Sequence, residues 1–292
     1  MRPVEIIRLI VILFGFLFFF GTVRSYAQRG PTNYYVSPTG NDSNPGTESL
    51  PWKTLAKAAS MATANVTVFI KKGTYNERLM PLNSGTADAP VTFTSYPGDS
   101  ASIDGEGMTN PVLSTGLIFV DGLKHIKISG LRILHSGGVG IQVKNSSHIT
   151  IQKNYVYSTY DMGLKVHACD NILVEGNEIV RACLVNINDE ECLSVSTTNV
   201  IEISHNRVHD GRAIGIDVKY GSSNVIVKNN EVYNQNGCIG IYIEAWTMHQ
   251  FDIDVFDNVS HDNQIGFAVT SEMGGLNEGI RVHHNIAYNN GQ

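Results

Sequence analysis

The most constraining feature of this sequence is an asparagine that recurs at intervals of 23 to 29 residues in one local pattern. Each copy reads apolar-x-apolar-x-x-Asn, as in ITIQKN and IRVHHN. Repetition at this period is typical of a stacked solenoid, and the period-two alternation indicates β-strands. Amides at equivalent buried turns can hydrogen bond from coil to coil. The repeat therefore predicts a solenoid held by structural asparagines, namely Asn154, Asn177, Asn206, Asn230, Asn258 and Asn285.

Two further strands complete each predicted coil. The strand after the asparagine turn has an apolar residue two places beyond the asparagine. The other begins with Gly or Cys and is the Gly-led strand: GIQVK (140–144), GLKVH (163–167), CLSVS (192–196), GIDVK (215–219), GIYIE (240–244) and GFAVT (266–270). Three strands per coil predict an all-β, single-stranded right-handed parallel β-helix. About seven coils at ~4.8 Å each would form a rod of ~34 Å.

Residues 1–27 are predicted to be a signal peptide. Arginines flank an apolar run of fifteen residues, Leu9 to Val23, and Ser25 and Ala27 are small residues at the −3 and −1 positions of a cleavage site. A spanning helix needs ~20 residues, so an uncleaved anchor is the less favoured alternative. We expect a secreted or periplasmic protein without stable membrane insertion.

The charge of the chain bears on its partners. The formal net charge is −6, and the predicted signal peptide carries +2, which leaves −8 for the mature chain. An acidic protein without basic runs is a poor candidate for nucleic-acid binding. An acidic polymer would need local positive charge, or a bridging cation, at its site.

Residues 28–115 do not follow the sequence pattern of the repeats. Pro51 to Ala62 has helical spacing with a proline start, and strands are predicted at 33–36, 66–70 and 91–97. We interpret 28–115 as an N-terminal cap with a short helix and irregular first coils, and 116–292 as the β-helix repeats. The sequence stops inside a coil, which we interpret as a truncated C-terminus.

The N-terminal stretch YYVSPTGNDSNPGTESLPWKTLAKAA, with FIKKGTYNE and PVTFTSYPGDSASIDGEG, resembles the cap of secreted pectate-lyase-like β-helix proteins. It is most similar to family-9 polysaccharide lyases and related right-handed β-helix repeat proteins, and the resemblance extends over residues 33–292. It implies a polysaccharide groove on the Gly-led sheet. It leaves the reaction open, because this architecture carries lyases, hydrolases, epimerases and non-catalytic proteins.

Alternation in the Gly-led strand directs its third and fifth residues outward. Stacking therefore predicts two outward columns: Gln142, Lys165, Ser194, Asp217, Tyr242 and Ala268 in one, and Lys144, His167, Ser196, Lys219, Glu244 and Thr270 in the other. Lys219 is expected about 5 Å from Glu244 on the next coil. These columns are the predicted floor of the groove.

Two mechanisms compete for this floor. In β-elimination a base removes the proton α to a uronate carboxylate, and the candidate bases are Lys219, Lys165 and His167. In hydrolysis two carboxylates flank the scissile bond, and Asp217 and Glu244 would supply them. Related family-9 lyases carry several aspartates around calcium beside a catalytic lysine, whereas here Asp217 alone projects from the Gly-led strands as an aspartate.

Other residues are candidates for holding substrate or metal. Trp246 and Tyr220 follow Gly-led strands, where aromatic rings can stack on sugars; Tyr242, Arg212, Lys144 and Glu272 are further substrate-binding candidates. The loop that ends Asp189-Glu190-Glu191 offers oxygen ligands for a calcium ion, with a solvated acidic loop as the alternative.

The sequence therefore predicts an exported, monomeric β-helix protein that binds polysaccharide. A lyase acting on a uronate polymer is the first hypothesis, and a glycoside hydrolase using Asp217 and Glu244 is the second. The third is a non-catalytic carbohydrate-binding or cell-surface solenoid.

Overall fold

The computed structural model describes residues 32–108, 115–185 and 191–291. The predicted signal peptide lies outside these ranges, as do Asp189 and Glu190.

Every sheet ladder in the described residues is parallel, and the strands form three sheets that run along the coil stack. Sheet A has ten strands: β1 (Thr32–Val36), β2 (Val66–Ile70), β4 (Val91–Ser95), β7 (Lys124–Ser129), β10 (Ser147–Gln152), β13 (Asp170–Glu175), β16 (Asn199–Ser204), β19 (Ser223–Lys228), β22 (His249–Phe256) and β25 (Leu276–His283). It contains the apolar-x-apolar strands that precede the asparagine turns.

Sheet B contains the short strands that follow the asparagine turns: β3 (Gly73–Tyr75), β5 (Ala101–Asp104), β8 (Arg132–Leu134), β11 (Tyr155–Tyr157), β14 (Glu178–Val180), β17 (Arg207–His209), β20 (Glu231–Tyr233), β23 (Val259–His261) and β26 (Ile286–Tyr288). Sheet C contains β6 (Ile118–Asp121) and the six Gly-led strands: β9 (Ile141–Lys144), β12 (Leu164–His167), β15 (Glu191–Ser196), β18 (Ile214–Lys219), β21 (Ile239–Glu244) and β24 (Ile265–Thr270). The prediction of a right-handed parallel β-helix with three strands per coil is confirmed.

The interior of the rod is a set of aliphatic columns. In sheet C, Val166, Val195, Val218 and Ile243 stand in register on successive strands, and each is at most 1% exposed. Burying a side chain of this type contributes about 1.5–3 kcal/mol relative to leaving it in water. The alternation that fills the interior also sends the intervening residues of each strand outward.

The asparagines form the predicted ladder between sheets A and B. The Oδ1 atom of Asn206 accepts hydrogen bonds from both the backbone N–H and the side-chain amide of Asn177, at 2.9 and 3.0 Å. Asn206 in turn donates to Oδ1 of Asn230 and to the Val174 carbonyl. The same pair of bonds links each ladder member from Asn154 to Asn285. Each side chain thus satisfies a backbone group that the turn would otherwise bury unpaired.

A second, shorter ladder lies between sheets B and C and was not predicted. The backbone N–H of Gln235 donates to Oδ1 of Asn263, and the N–H of Asn263 donates to Oδ1 of Asn290, both at 3.0 Å. This ladder supports the turns that lead into the last strands of sheet C.

The cap contains helix α1 (Leu55–Met61). Thr54 is its N-cap, and its hydroxyl accepts from the N–H of Lys57 at 3.1 Å. The predicted helix is confirmed, but its predicted start at Pro51 is wrong, because Trp52 is held by a bridge to Val36 and the helix begins after the threonine cap. No helix in the part of the chain that the structure describes is long and apolar enough to cross a membrane.

We expect Asn206→Ala to lower the free energy of unfolding by about 2–4 kcal/mol, because it leaves the buried N–H of Asn177 without an acceptor. Urea unfolding followed by far-UV circular dichroism measures the change. Asn33→Ala, at an exposed position of β1, is the matched control and should change stability by less than about 0.5 kcal/mol. Equal losses in the two variants would contradict the structural role of the ladder.

Candidate functional site

The outer face of sheet C carries the two predicted columns in the predicted register. Asp217 pairs with Ser194 on one side and Tyr242 on the other, while Lys219 pairs with Ser196 and Glu244. The alternation of these strands therefore brings the predicted side chains of six consecutive coils to one face.

Two adjoining cavities lie along this face, and together they form the groove. The first, of about 380 Å³, is the basic half, lined by Gln142, Lys144, Met162, Lys165, His167, Ser194 and Ser196. The second, of about 430 Å³, is the acidic half, lined by Glu191, Ile214, Tyr242, Glu244, Trp246 and Glu272. Lys219 and Tyr220 line both cavities and mark their boundary.

His167 is the neutral member of the basic half. Its partial burial lowers its pKa, and the charges of Lys165 and Lys144 lower it further. Its Nδ1 lies 2.9 Å from the Ser196 hydroxyl oxygen. If Nδ1 donates its proton to Ser196, Nε2 keeps a lone pair, which is the form that a general base requires. The Ser196 contact was not foreseen from the sequence.

Lys219 is the register neighbour of Glu244, as predicted, but its ion-pair partners are other carboxylates. Its ammonium forms a short ion pair with Oε1 of Glu191 and lies 3.5 Å from Oδ2 of Asp217. Burial acts to lower the pKa of Lys219, but the two carboxylates outweigh it and the pKa is raised. The side chain is therefore a firmly held ammonium.

Asp217 lies on the outward side of its strand, but the expectation that it faces the groove is wrong. Its exposure is 0%, and it lines neither cavity. Neither of its oxygens accepts a hydrogen bond from the described residues. Complete burial raises its pKa well above the usual range, and Glu191 adds to the effect against the partial offset of Lys219.

Glu191 was predicted as a loop ligand for calcium, and this placement is wrong. It is the first residue of β15, it is 1% exposed, and it occupies the position that Ile214 has in the next coil. A glutamate at an isoleucine position of the repeat was the available signal. Asp189 and Glu190 lie outside the described residues, so the calcium expectation stays a prediction for them.

The acidic half brings a second pair of carboxylates together. Glu244 has its pKa raised by burial, opposed by Lys219 and reinforced by Glu272 and Glu191. The hydroxyl of Tyr242 donates to Oε1 of Glu272 at 2.5 Å and lies 2.7 Å from the Thr270 hydroxyl. Glu272 is therefore a fixed hydrogen-bond acceptor that lines the same cavity as Glu244, whose pKa is raised.

The remaining candidates divide between the groove and its surroundings. Trp246 and Tyr220 line the groove as predicted, and Lys219 lies over the Tyr220 ring at 5.1 Å. Arg212 does not line either cavity; its guanidinium donates to the Leu184 carbonyl at 3.1 Å.

One group of possible metal ligands lies away from the groove and was not predicted. Asp104, Glu106 and His135 place their ligand atoms within 4.8 Å of one another. His135 and Asp104 already form a hydrogen-bonded pair at 3.0 Å, and Glu106 is exposed. The group therefore needs no ion to satisfy its polar atoms.

Two family models match the chain. One, described as a Pel9A-like right-handed beta helix region, matches residues 34–183, and the other, described as a right-handed beta helix region, matches residues 139–292. The first match ends before every acidic residue of the groove.

Two curated relatives are similar in sequence. The uncharacterized protein YwoF of Bacillus subtilis is 31% identical over 305 residues, which cover 90% of this chain and 64% of YwoF. The pectate lyase PEL9 of Emericella nidulans is 26% identical over 143 residues, which cover 45% of this chain and 35% of PEL9. The chain thus spans less than two thirds of either relative.

Solved structures share the fold at low identity. The crystal structure of pectate lyase Pel9A has a TM-score of 0.65 at 17% identity, covering 88% of this chain and 78% of its own. An exopolygalacturonase from Thermotoga maritima has a TM-score of 0.57 at 8% identity, covering 80% and 70%. Lyases and hydrolases both occur among these neighbours, so the fold alone does not select the reaction.

We expect Lys219→Met to lower the free energy of unfolding by about 3–5 kcal/mol at pH 7, because it removes the cation between two buried carboxylates. Lys219 lowers the pKa of Asp217 against the effect of burial, so its removal raises that pKa further, and the folded variant binds more protons than the folded unaltered protein as the pH falls. The deficit should therefore shrink between pH 7 and pH 5.

Denaturant unfolding across this pH range measures the effect. Lys144→Met is the control, because Lys144 is half-buried and has no ion-pair partner among the described residues. A deficit that is the same at both pH values would contradict the buried-pair interpretation.

Proposed function

Because the chain belongs to the Pel9A-like right-handed β-helix family, we propose that it acts on a polysaccharide bound along the groove of sheet C. We further propose that it hydrolyses a glycosidic bond in the acidic half. The observation that supports hydrolysis is that Glu244, whose pKa is raised, and Glu272, which accepts a hydrogen bond from Tyr242, line the same cavity. A carboxyl group whose environment favours its protonated form, with a second carboxyl group on the same cavity, suits a general acid and its partner.

In this proposal Glu244 is the general acid. Its raised pKa favours the protonated form, and donation of that proton to the glycosidic oxygen assists departure of the leaving sugar. Glu272, held by Tyr242, acts on the anomeric carbon, either directly or through a water molecule. Trp246 and Tyr220 provide faces on which sugar rings stack.

Asp217 and Lys219 have supporting roles in this mechanism. Asp217 has no surface in the groove, so it cannot touch a sugar. Lys219 is held as an ammonium by Glu191 and Asp217, which makes it a poor base for proton abstraction. The ammonium instead opposes the rise in the pKa of Glu244 and thereby helps to tune the acid.

The proposal involves no calcium ion at Glu191. The Glu191 carboxylate is paired with the Lys219 ammonium, and burial favours the protonated form of Asp217. This group carries little uncompensated charge for a divalent cation to offset, so the described residues do not fit the calcium site expected from the sequence. We expect the hydrolytic rate to be unchanged by EDTA.

Lyase chemistry in the basic half is the second candidate. His167 has a lowered pKa and a Ser196 contact that is compatible with a free Nε2, and Lys144 and Lys165 flank it with positive charge. A neutral imidazole can remove a proton α to a uronate carboxylate while the lysines stabilise the carboxylate.

The expected partner is a polysaccharide rather than a nucleic acid, and we propose export with cleavage after Ala27. N-terminal sequencing of the protein recovered from culture medium or periplasm tests the cleavage position.

We expect Glu244→Gln and Glu272→Gln each to lower hydrolysis by about 10²–10⁴-fold, because each removes one of the two reacting carboxyl groups. The assay counts new reducing ends released from a panel of neutral and uronate-containing polysaccharides. The NMR spectrum of the first-formed anomer then reports whether Glu272 acts directly, with retention, or through water, with inversion.

Glu278→Gln is the matched control, since Glu278 lies in β25 of sheet A and is exposed. Its activity should equal that of the unaltered protein. Absence of new reducing ends on every substrate would reject hydrolysis, and full activity in either groove variant would reject the assigned pair.

We expect that, if the basic half performs β-elimination, unsaturated products absorb in the ultraviolet and His167→Gln abolishes them. The rate would fall on acidification with an apparent pKa below the ordinary histidine value of about 6.5, because protonated His167 cannot accept a proton. Reducing ends without unsaturated products would exclude this candidate, and an acid limb well above 6.5 would exclude His167 as the base.

A further inference from the structure

We propose that the basic half is a subsite for the carboxylate of a uronate unit, and that the acidic half takes neutral sugars. The preferred substrate is then a mixed glycan in which a uronate lies a few units from the bond that is cleaved. This inference rests on the proposed binding of a polysaccharide along sheet C.

The basic half contains positive charge that the protein leaves unpaired. Lys144 on β9 and Lys165 on β12 are register neighbours on the same face and are half-buried. Among the described residues neither has an ion-pair partner, and no carboxylate lines this cavity. Asp121, on the strand before Lys144, is engaged by the Asn145 amide at 2.9 Å. Two adjacent lysines without a counter-charge, in a chain of net charge −6, suit an anionic ligand.

The lowered pKa of His167 is a second sign of the positive potential in the basic half. The nearby lysine charges contribute to keeping the imidazole neutral. A neutral imidazole and the Ser196 hydroxyl are suited to hydrogen bonds with sugar hydroxyls, whereas the two ammonium groups are suited to a carboxylate.

The acidic half has the opposite character. Glu191, Glu244 and Glu272 line it, and the Lys219 ammonium is engaged by Glu191. Glu191 is paired with Lys219, and Glu244 favours its protonated form, so a uronate carboxylate placed there would meet the carboxylate of Glu272 in a partly desolvated cavity, which is unfavourable. The indole of Trp246 and the ring of Tyr220 instead suit the apolar faces of neutral sugars.

One oligosaccharide can reach both halves. Lys165, Ser194, Asp217 and Tyr242 stand on successive strands in register, so the strand of Lys165 lies three spacings, or roughly 14 Å, from the strand of Glu244. Among the described residues, the two halves share Lys219 and Tyr220 in their linings and adjoin there. A chain that lies along the coil axis therefore crosses from positive to negative surroundings.

Binding to a matched pair of polysaccharides tests the inference. The pair is a glycan with uronate and neutral units and the same glycan after chemical reduction of its carboxyl groups to primary alcohols. Affinity electrophoresis or calorimetry with the full chain should give about 10-fold tighter binding of the native glycan, and added salt should reduce the difference.

The variant Lys144→Gln/Lys165→Gln should lose this difference and keep its affinity for the reduced glycan. Lys124→Gln/Lys127→Gln changes the net charge equally but lies in β7 of sheet A, and it should behave as the unaltered protein. Equal binding of the native and reduced glycans by the unaltered protein would overturn the inference.

Binding of an all-uronate polymer tests the assignment of neutral sugars to the acidic half. We expect it to bind less tightly than the mixed glycan and to gain affinity in Glu272→Gln, which removes one repelling charge. Tighter binding of the all-uronate polymer, with or without added calcium, would overturn the assignment of the acidic half. A preference for the mixed glycan without any bond cleavage would reject the proposed hydrolysis while supporting the subsite.

Discussion

The asparagine ladder is the interaction on which the rest of this structure depends. Each coil must turn between sheets A and B inside the protein, and the turn buries backbone groups that have no strand partner. The side chain of Asn206 accepts from Asn177 and donates to Asn230, so each turn is satisfied by its neighbours in the stack. Because every link has the same geometry, the coils stay in register, and sheet C inherits that register. The aligned columns of the groove are a consequence of it.

The position of one ammonium group, that of Lys219, determines how charge is distributed along the groove. Lys219 lies between Glu191 and Asp217 and lines both halves of the groove at their boundary. Its positive charge is balanced by these two residues of the protein, so Lys219 attracts a negatively charged substrate less than its place in the outward column suggests. The basic character of the groove then depends on Lys144 and Lys165, and its acidic character on residues that the ammonium only partly offsets. This separation of charge supports a groove with distinct subsites.

Much of the fold could be predicted from the sequence because its signals are local and repeated. The period of the asparagines, the glycine or cysteine that begins each Gly-led strand and the alternation of apolar residues all recur often enough to define a coil. The register of Asp217 with Tyr242 and of Lys219 with Glu244 followed from them and is confirmed. The ladder through Gln235 and Asn263 was missed because the loops before sheet C vary in length, which hides its spacing.

The sequence by itself determined the architecture and the side chains that lie on the outer side of the Gly-led strands, since strand alternation depends only on residue order. Only the tertiary structure decided their chemical states. Asp217 is sealed from solvent, Glu191 enters from a strand end rather than a loop, and the Tyr242 hydroxyl bonds Glu272 from another coil. Burial and charge–charge distances depend on contacts between residues about thirty positions apart, and no local pattern records them. The candidate roles of the groove residues therefore follow from packing rather than from the repeat.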